Sequence, residues 1–161
     1  MKIFKVIVIT FFFVAFYMSY TFYMRQGHIN KVYQTTEHSE IWDKDCKSTV
    51  ILVDNVPLSH YSQKKFWQKN SKEIIEKWNP FTDECDDVLF VKNNIGHIKH
   101  SGDVKFWIAD NEICLNGSIG GCISWEDRLF YVGLRVSTLG SDITGEINGK
   151  PIYIRFIGHR N

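Results

Sequence analysis

The run Ile3-Phe4-Lys5-Val6-Ile7-Val8-Ile9-Thr10-Phe11-Phe12-Phe13-Val14-Ala15-Phe16-Tyr17-Met18-Ser19-Tyr20-Thr21-Phe22-Tyr23-Met24 constrains this chain more than any other stretch, because from Val6 to Met24 no side chain carries a charge. At about 1.5 Å of rise per residue, a helix of this length approaches the ~30 Å hydrocarbon thickness of a bilayer. The stretch reads as a transmembrane anchor over residues 1–25, with Val6, Phe12, Phe16, Tyr20 and Met24 among its membrane-embedded side chains. Tyr17, Tyr20 and Tyr23, followed by Arg25, suit the interfacial end, where amphipathic rings and a snorkelling cation are favourable.

An export signal would also be apolar, but it would end in small residues at two alternate positions. Ser19 with Thr21 comes closest and is a poor match, so the expectation is an uncleaved signal-anchor. Lys2 and Lys5 precede the apolar core, and Arg25 and Lys31 follow it. The slight bias keeps the amino terminus inside the cell. Cysteine usage agrees with that orientation. Cys46, Cys85, Cys114 and Cys122 are an even set with no Cys-x-x-Cys pair, so zinc and dithiol redox motifs are absent and disulfides in an oxidising compartment are expected. Four cysteines allow three pairings. Cys114 with Cys122, enclosing a glycine-rich loop, and Cys46 with Cys85 by subtraction is the pairing favoured here.

Most of the 161-residue chain remains beyond the anchor, enough for one domain with a real core. Lys plus Arg number 19 against 18 for Asp plus Glu, a net charge of +1. That balance argues against a nucleic-acid partner, which requires a basic face. Beyond the anchor, no polybasic tract is available for anionic lipid.

Residues 26–46 are polar, and Thr35-Thr36-Glu37-His38-Ser39-Glu40 has no apolar period. They read as a tether, with room for a first strand near His28 to Tyr33. The globular domain then spans residues 47–161. Thr49-Val50-Ile51-Leu52-Val53 is a β-branched apolar run typical of a strand buried on both faces, and Pro57 lies beyond its end. Ser59 is a helix N-cap, with Leu58 outside it in position for a hydrophobic staple. His60 to Trp78 contains no Gly or Pro and aligns Trp67, Ser71, Ile74 and Trp78 on one face, which predicts an amphipathic helix ended by Asn79-Pro80. Strands are expected at Asp87–Lys92, Val104–Ile108 and Arg128–Val136. Asn148-Gly149 should turn a closing hairpin into Ile152–Phe156. The predicted fold class is α+β: a transmembrane helix, then a small domain of one antiparallel sheet packed on one main helix.

The anchor, the tether, Val50-Ile51-Leu52-Val53-Asp54-Asn55-Val56-Pro57-Leu58-Ser59 and Lys64-Lys65-Phe66-Trp67-Gln68-Lys69-Asn70 together resemble the enterobacterial family of small membrane-anchored proteins catalogued as domain of unknown function 943. Ile113-Cys114 and Cys122-Ile123 are similar to that family's paired-cysteine region. The resemblance covers residues 1–125 and brings no activity or catalytic residues with it.

Catalytic and metal signals are weak. His97 and His100 would lie on opposite faces of a strand, and Asp83, Glu84, Asp86 and Asp87 lack the ligand alternation of a calcium loop. Gly117-Ser118-Ile119-Gly120-Gly121 has neither the lysine nor the helix of a phosphate loop. Trp107, Trp125 and Phe130 could line a glycan or peptide groove, with core packing the favoured alternative. No enzyme activity, cofactor or metal is therefore expected. Two function classes fit a single-pass protein of the bacterial inner membrane with a periplasmic domain. One is a protein-binding module, such as an immunity protein against a periplasm-acting antibacterial toxin. The other is an envelope accessory or assembly factor acting through its transmembrane segment.

Overall fold

The computed structural model describes residues 2–94, 107–109, 112–115, 121–135 and 141–157. Helix α1 spans Lys2–Ser19 and continues as a π-helical turn, Tyr20–Met24. Phe4–Met24 is long and apolar enough to cross a bilayer, with mean hydropathy 1.8 and none of its most apolar window buried. Val6, Phe12, Phe16, Tyr20 and Met24 are all exposed along it, as expected of a helix apolar on every side. By length and composition it is either a membrane anchor or a signal sequence.

The strands are β1 (His28–Ser39), β2 (Lys44–Asp54), β3 (Asp87–Lys92), β4 (Trp107–Ala109), β5 (Glu112–Leu115), β6 (Gly121–Ser124), β7 (Arg128–Gly133), β8 (Ser141–Ile147) and β9 (Lys150–Phe156); helix α2 is His60–Trp78. The described residues form a six-stranded sheet in the order β1-β2-β3-β7-β9-β8 and a three-stranded sheet, β4-β5-β6.

The protein is α+β, but its main sheet is mixed, which corrects the expectation of a single antiparallel sheet. β2 and β3 are parallel, from Ser48 opposite Asp87 to Val53 opposite Lys92, whereas the other pairs in both sheets are antiparallel. The cause is α2, which carries the chain back across the sheet so that β3 starts beside the start of β2. Residues 28–39, read as tether with room for a first strand near His28 to Tyr33, are strand throughout. They form β1, paired with β2 from His28 opposite Asp54 to Ser39 opposite Lys44. β1 is an edge strand, so its solvent face needs no apolar residues, while Ile29 and Val32 reach the core on the other face.

Ser59 caps α2 through a capping box with Ser62, and Asn79 ends the helix in the left-handed conformation (φ 41°). Leu58, expected as a staple, is 44% exposed, because the residue it would meet is Gln63, whose amide turns to the Pro57 carbonyl instead. Phe66, Trp67 and Ile74 of α2 pack with Ile51, Val53, Val88, Phe90, Phe130, Val132, Ile152 and Ile154 on one sheet face. Phe90 and Phe130 stack at 4.3 Å in its centre. On the other face Val50, Leu52, Leu89 and Val91 pack with Ile123 of β6. Covering both faces is what makes Val50 to Val53 uniformly buried.

Asn148 and Gly149 turn β8 into β9 at positive φ, 51° and 76°, as the Asn-Gly pair allows. Of the strand expected at Val104–Ile108, residues 104–106 lie outside the described residues, and β4 begins at Trp107.

Candidate functional site

The face of the sheet turned away from α2 is only partly covered by β6. Toward β3, β7 and β9 it opens into a groove of about 1150 Å³. Strand alternation sets its floor. Ile152 and Ile154 of β9 point to the α2 side, so Tyr153 and Arg155 point into the groove. Register places Tyr131 opposite Arg155, and Gly133 between Asp87 and Tyr153. Gly133 leaves open space at this crossing: a Cβ added there would find only the Asp86 carbonyl oxygen, at 3.6 Å. Trp42, Trp125, Arg128 and Arg135 complete the walls.

Arg128 reaches the groove through a β-bulge. The pairing jumps from Phe90 opposite Phe130 to Val91 opposite Arg128, leaving Leu129 as the extra residue. A bulge re-aims the side chain beside it, and the guanidinium lies under the Trp125 ring with Nη1 donating to the Tyr131 hydroxyl at 2.9 Å. A one-turn helix at Trp125–Asp127, capped by Ser124, carries that tryptophan over it. Arg128 is 3% exposed, yet among the described residues its Nε and Nη2 have no acceptor. Burial pulls its pKa below the usual guanidinium value, and Tyr131 offsets this only in part. Among the described residues no carboxylate pairs with it.

Asp87 shares the groove but is not its counter-ion. It accepts from the Ser48 hydroxyl at 2.7 Å, and burial, with help from Asp86, raises its pKa above the ordinary carboxyl value. Burial likewise raises Tyr131. The other acidic residues of this link are engaged. Asp86 accepts from the Lys47, Thr82 and Asp83 amides and the Thr82 hydroxyl at 2.7–2.8 Å. Desolvation pushes its pKa up, but these bonds outweigh it and the net direction is down. Asp83 is paired with Lys44, and Glu84 with Lys150 at 2.8 Å; their partners hold both carboxyls below the ordinary range. Among the described residues no group of three or more His, Cys, Asp or Glu is placed to hold a metal ion.

Cys46 and Cys85 form a disulfide that ties the start of β2 to the link before β3. Cys122 is also disulfide-bonded, and its register partner across β5 and β6 is Cys114. Of the aromatic residues considered for a groove, Phe130 is core, Trp125 is 45% exposed on the groove wall, and the side chain of Trp107 lies outside the described residues. His97, His100 and the Gly117–Gly121 loop, apart from Gly121 at the start of β6, also lie outside them.

A second junction joins α1 to the domain. Only Arg25, Gln26 and Gly27 separate the π-helical turn from β1. Ser59 Oγ donates to the Phe22 carbonyl at 2.8 Å, Arg25 Nε donates to Asn55 Oδ1 at 2.6 Å, and Asn55 Nδ2 donates to the Gln26 carbonyl at 3.0 Å. Gly27 is enclosed, since a Cβ there would lie 2.8 Å from Pro57 Cδ and 2.9 Å from Val53 Cγ1.

Fold and site together define a disulfide-bonded α+β module with an arginine- and aromatic-lined groove, directly joined to an apolar helix. No protein-family model, curated protein or solved structure matches the chain.

Proposed function

We propose that the chain is a membrane-anchored module of the bacterial envelope that binds another protein through the groove, with its domain in the periplasm. The observation that carries this reading is the groove itself. Trp, Tyr and Arg are the side chains that dominate binding energy at protein interfaces, and here Trp42, Trp125, Tyr131, Tyr153, Arg128 and Arg135 line one recess on a rigid sheet. The junction supports retention of the anchor. A discarded signal has no need of a domain that grips its last turn, whereas Ser59, Asn55 and the pocket around Gly27 hold residues 22–27. The disulfide supports an oxidising compartment.

An immunity protein that occludes a periplasm-acting toxin is the form of this function that best suits a recess on a domain joined closely to its anchor. The accessory-factor alternative places the information in the anchor. Two variants of the full chain separate them. Replacing residues 1–24 by an unrelated single-pass anchor leaves partner binding intact if the groove carries it. Gly133→Phe, which fills the recess without entering the core, abolishes binding while the melting temperature holds. Loss of binding on anchor exchange, with Gly133→Phe binding normally, would refute the groove reading.

A further inference from the structure

Among the described residues Arg128 is a buried cation without an anion. Burying an unpaired charge is costly, and proteins ordinarily provide the counter-ion from within. Here the fold spends a bulge at Leu129 and a one-turn helix carrying Trp125 to hold the guanidinium in place. It gives Nη1 an acceptor, Tyr131, and leaves Nε and Nη2 without one. Those two nitrogens are not an arbitrary pair. Their N–H bonds point in the same direction along one edge of the guanidinium, the fork that a carboxylate meets with both oxygens.

We propose that the Nε and Nη2 edge of Arg128 is the binding site for a carboxylate presented by the partner protein, as an acidic side chain or a chain terminus. Arg128 lines the groove, its Nε and Nη2 are themselves enclosed, and the half-exposed Trp125 ring lies over the guanidinium, so a carboxylate reaches this edge by displacing that ring. Carboxylate fits better than phosphate. Glu84, Asp86, Asp87 and Glu126 also line the recess, and their negative field disfavours a dianion more than a single charge that Arg128 neutralises. Arg135 and Arg155 are exposed lining residues that attract an acidic segment.

The side-chain Nε resonances of arginine in the full-length, oxidised protein in detergent micelles provide the test. Sodium acetate, sodium phosphate and sodium chloride are titrated at matched ionic strength. Acetate is expected to shift the Arg128 Nε–H signal saturably, with a half-point in the millimolar range typical of one small ion pair, and chloride is not. Lys72→Gln, on the exposed side of α2 and away from the groove, should leave that response within about twofold of wild type, because the fork and not net charge binds the anion. No response to acetate, an equal response to chloride, a tighter response to phosphate, or loss of the response in Lys72→Gln would overturn the assignment.

The biological ligand rests on the binding-module reading, and the two fail separately. Acetate binding with no protein partner removes the module and leaves the carboxylate site. A captured partner whose binding acetate does not weaken, with Arg128 silent, removes the carboxylate site and leaves the module.

Discussion

Asp86 and Asp87 are adjacent carboxylates with opposite titration behaviour, and the reason is their partners. Asp86 gains amide and hydroxyl donors that hold its charged form, so its folded pKa lies below 3.8. The stability it contributes is present above that ordinary value and is lost as pH falls through the folded pKa. Asp86→Ala should therefore cost about 2–4 kcal/mol in urea unfolding at pH 7, with the deficit shrinking at pH 3 and below. A deficit independent of pH would contradict the bonding described. Asp87 is the reverse case, since burial raises its folded pKa. Its contribution is fully present below 3.8 and is lost as pH rises through the folded pKa. Asp87→Asn should thus melt higher than wild type at pH 7, and the advantage should vanish toward pH 3.8. Neither behaviour is legible in Asp83-Glu84-Cys85-Asp86-Asp87, which as sequence is one acidic run. Arg128 is equally unannounced, because nothing in Trp125-Glu126-Asp127-Arg128-Leu129 marks the bulge that buries it.

At the scale of elements, local chemistry was the readable part. Ser59, Asn79 and Asn148-Gly149 each act through their own backbone, so the boundaries of α2 and the last hairpin follow from the residues present. Sheet order does not follow in that way. The apolar run Val50–Val53 carried the mark of a two-sided strand, but its parallel partner lies across the whole of α2. Of β1 only the part near His28 to Tyr33 was legible, because an edge strand can be polar on its outer face. The Cys46–Cys85 disulfide, with a sequence separation of 39, closes this β2-α2-β3 crossover. Replacing both cysteines by alanine should lower stability by about 4 kcal/mol in the chain-entropy view, measured by denaturant unfolding without reductant. Adding reductant to wild type should lower it at least as far, because the disulfide of Cys122 is then cut as well. At the junction, Gly27→Ala should cost about 1–3 kcal/mol, because Pro57 and Val53 must move to admit the methyl group. An unchanged denaturation midpoint would show that the junction is looser than described.

For the whole molecule, the three-residue connection between the π-helical turn and β1 is the decisive dimension. A polar tether would let the domain sample a wide volume above the bilayer. A short, hydrogen-bonded junction instead fixes which way the groove faces. The account predicts that the protein recovered from cell membranes retains its first 24 residues, which the intact mass would report; a mass lacking them would remove the anchor.

The most direct test of the central claim is photocrosslinking in intact cells. A photoreactive amino acid replaces Tyr153 in the groove or Gln68 on the exposed side of α2, each in the full chain. The account predicts one dominant protein adduct from position 153, abolished by Gly133→Phe, and none of that mass from position 68. Equal adducts from both positions, or an adduct from position 68 alone, would contradict a partner bound in the groove.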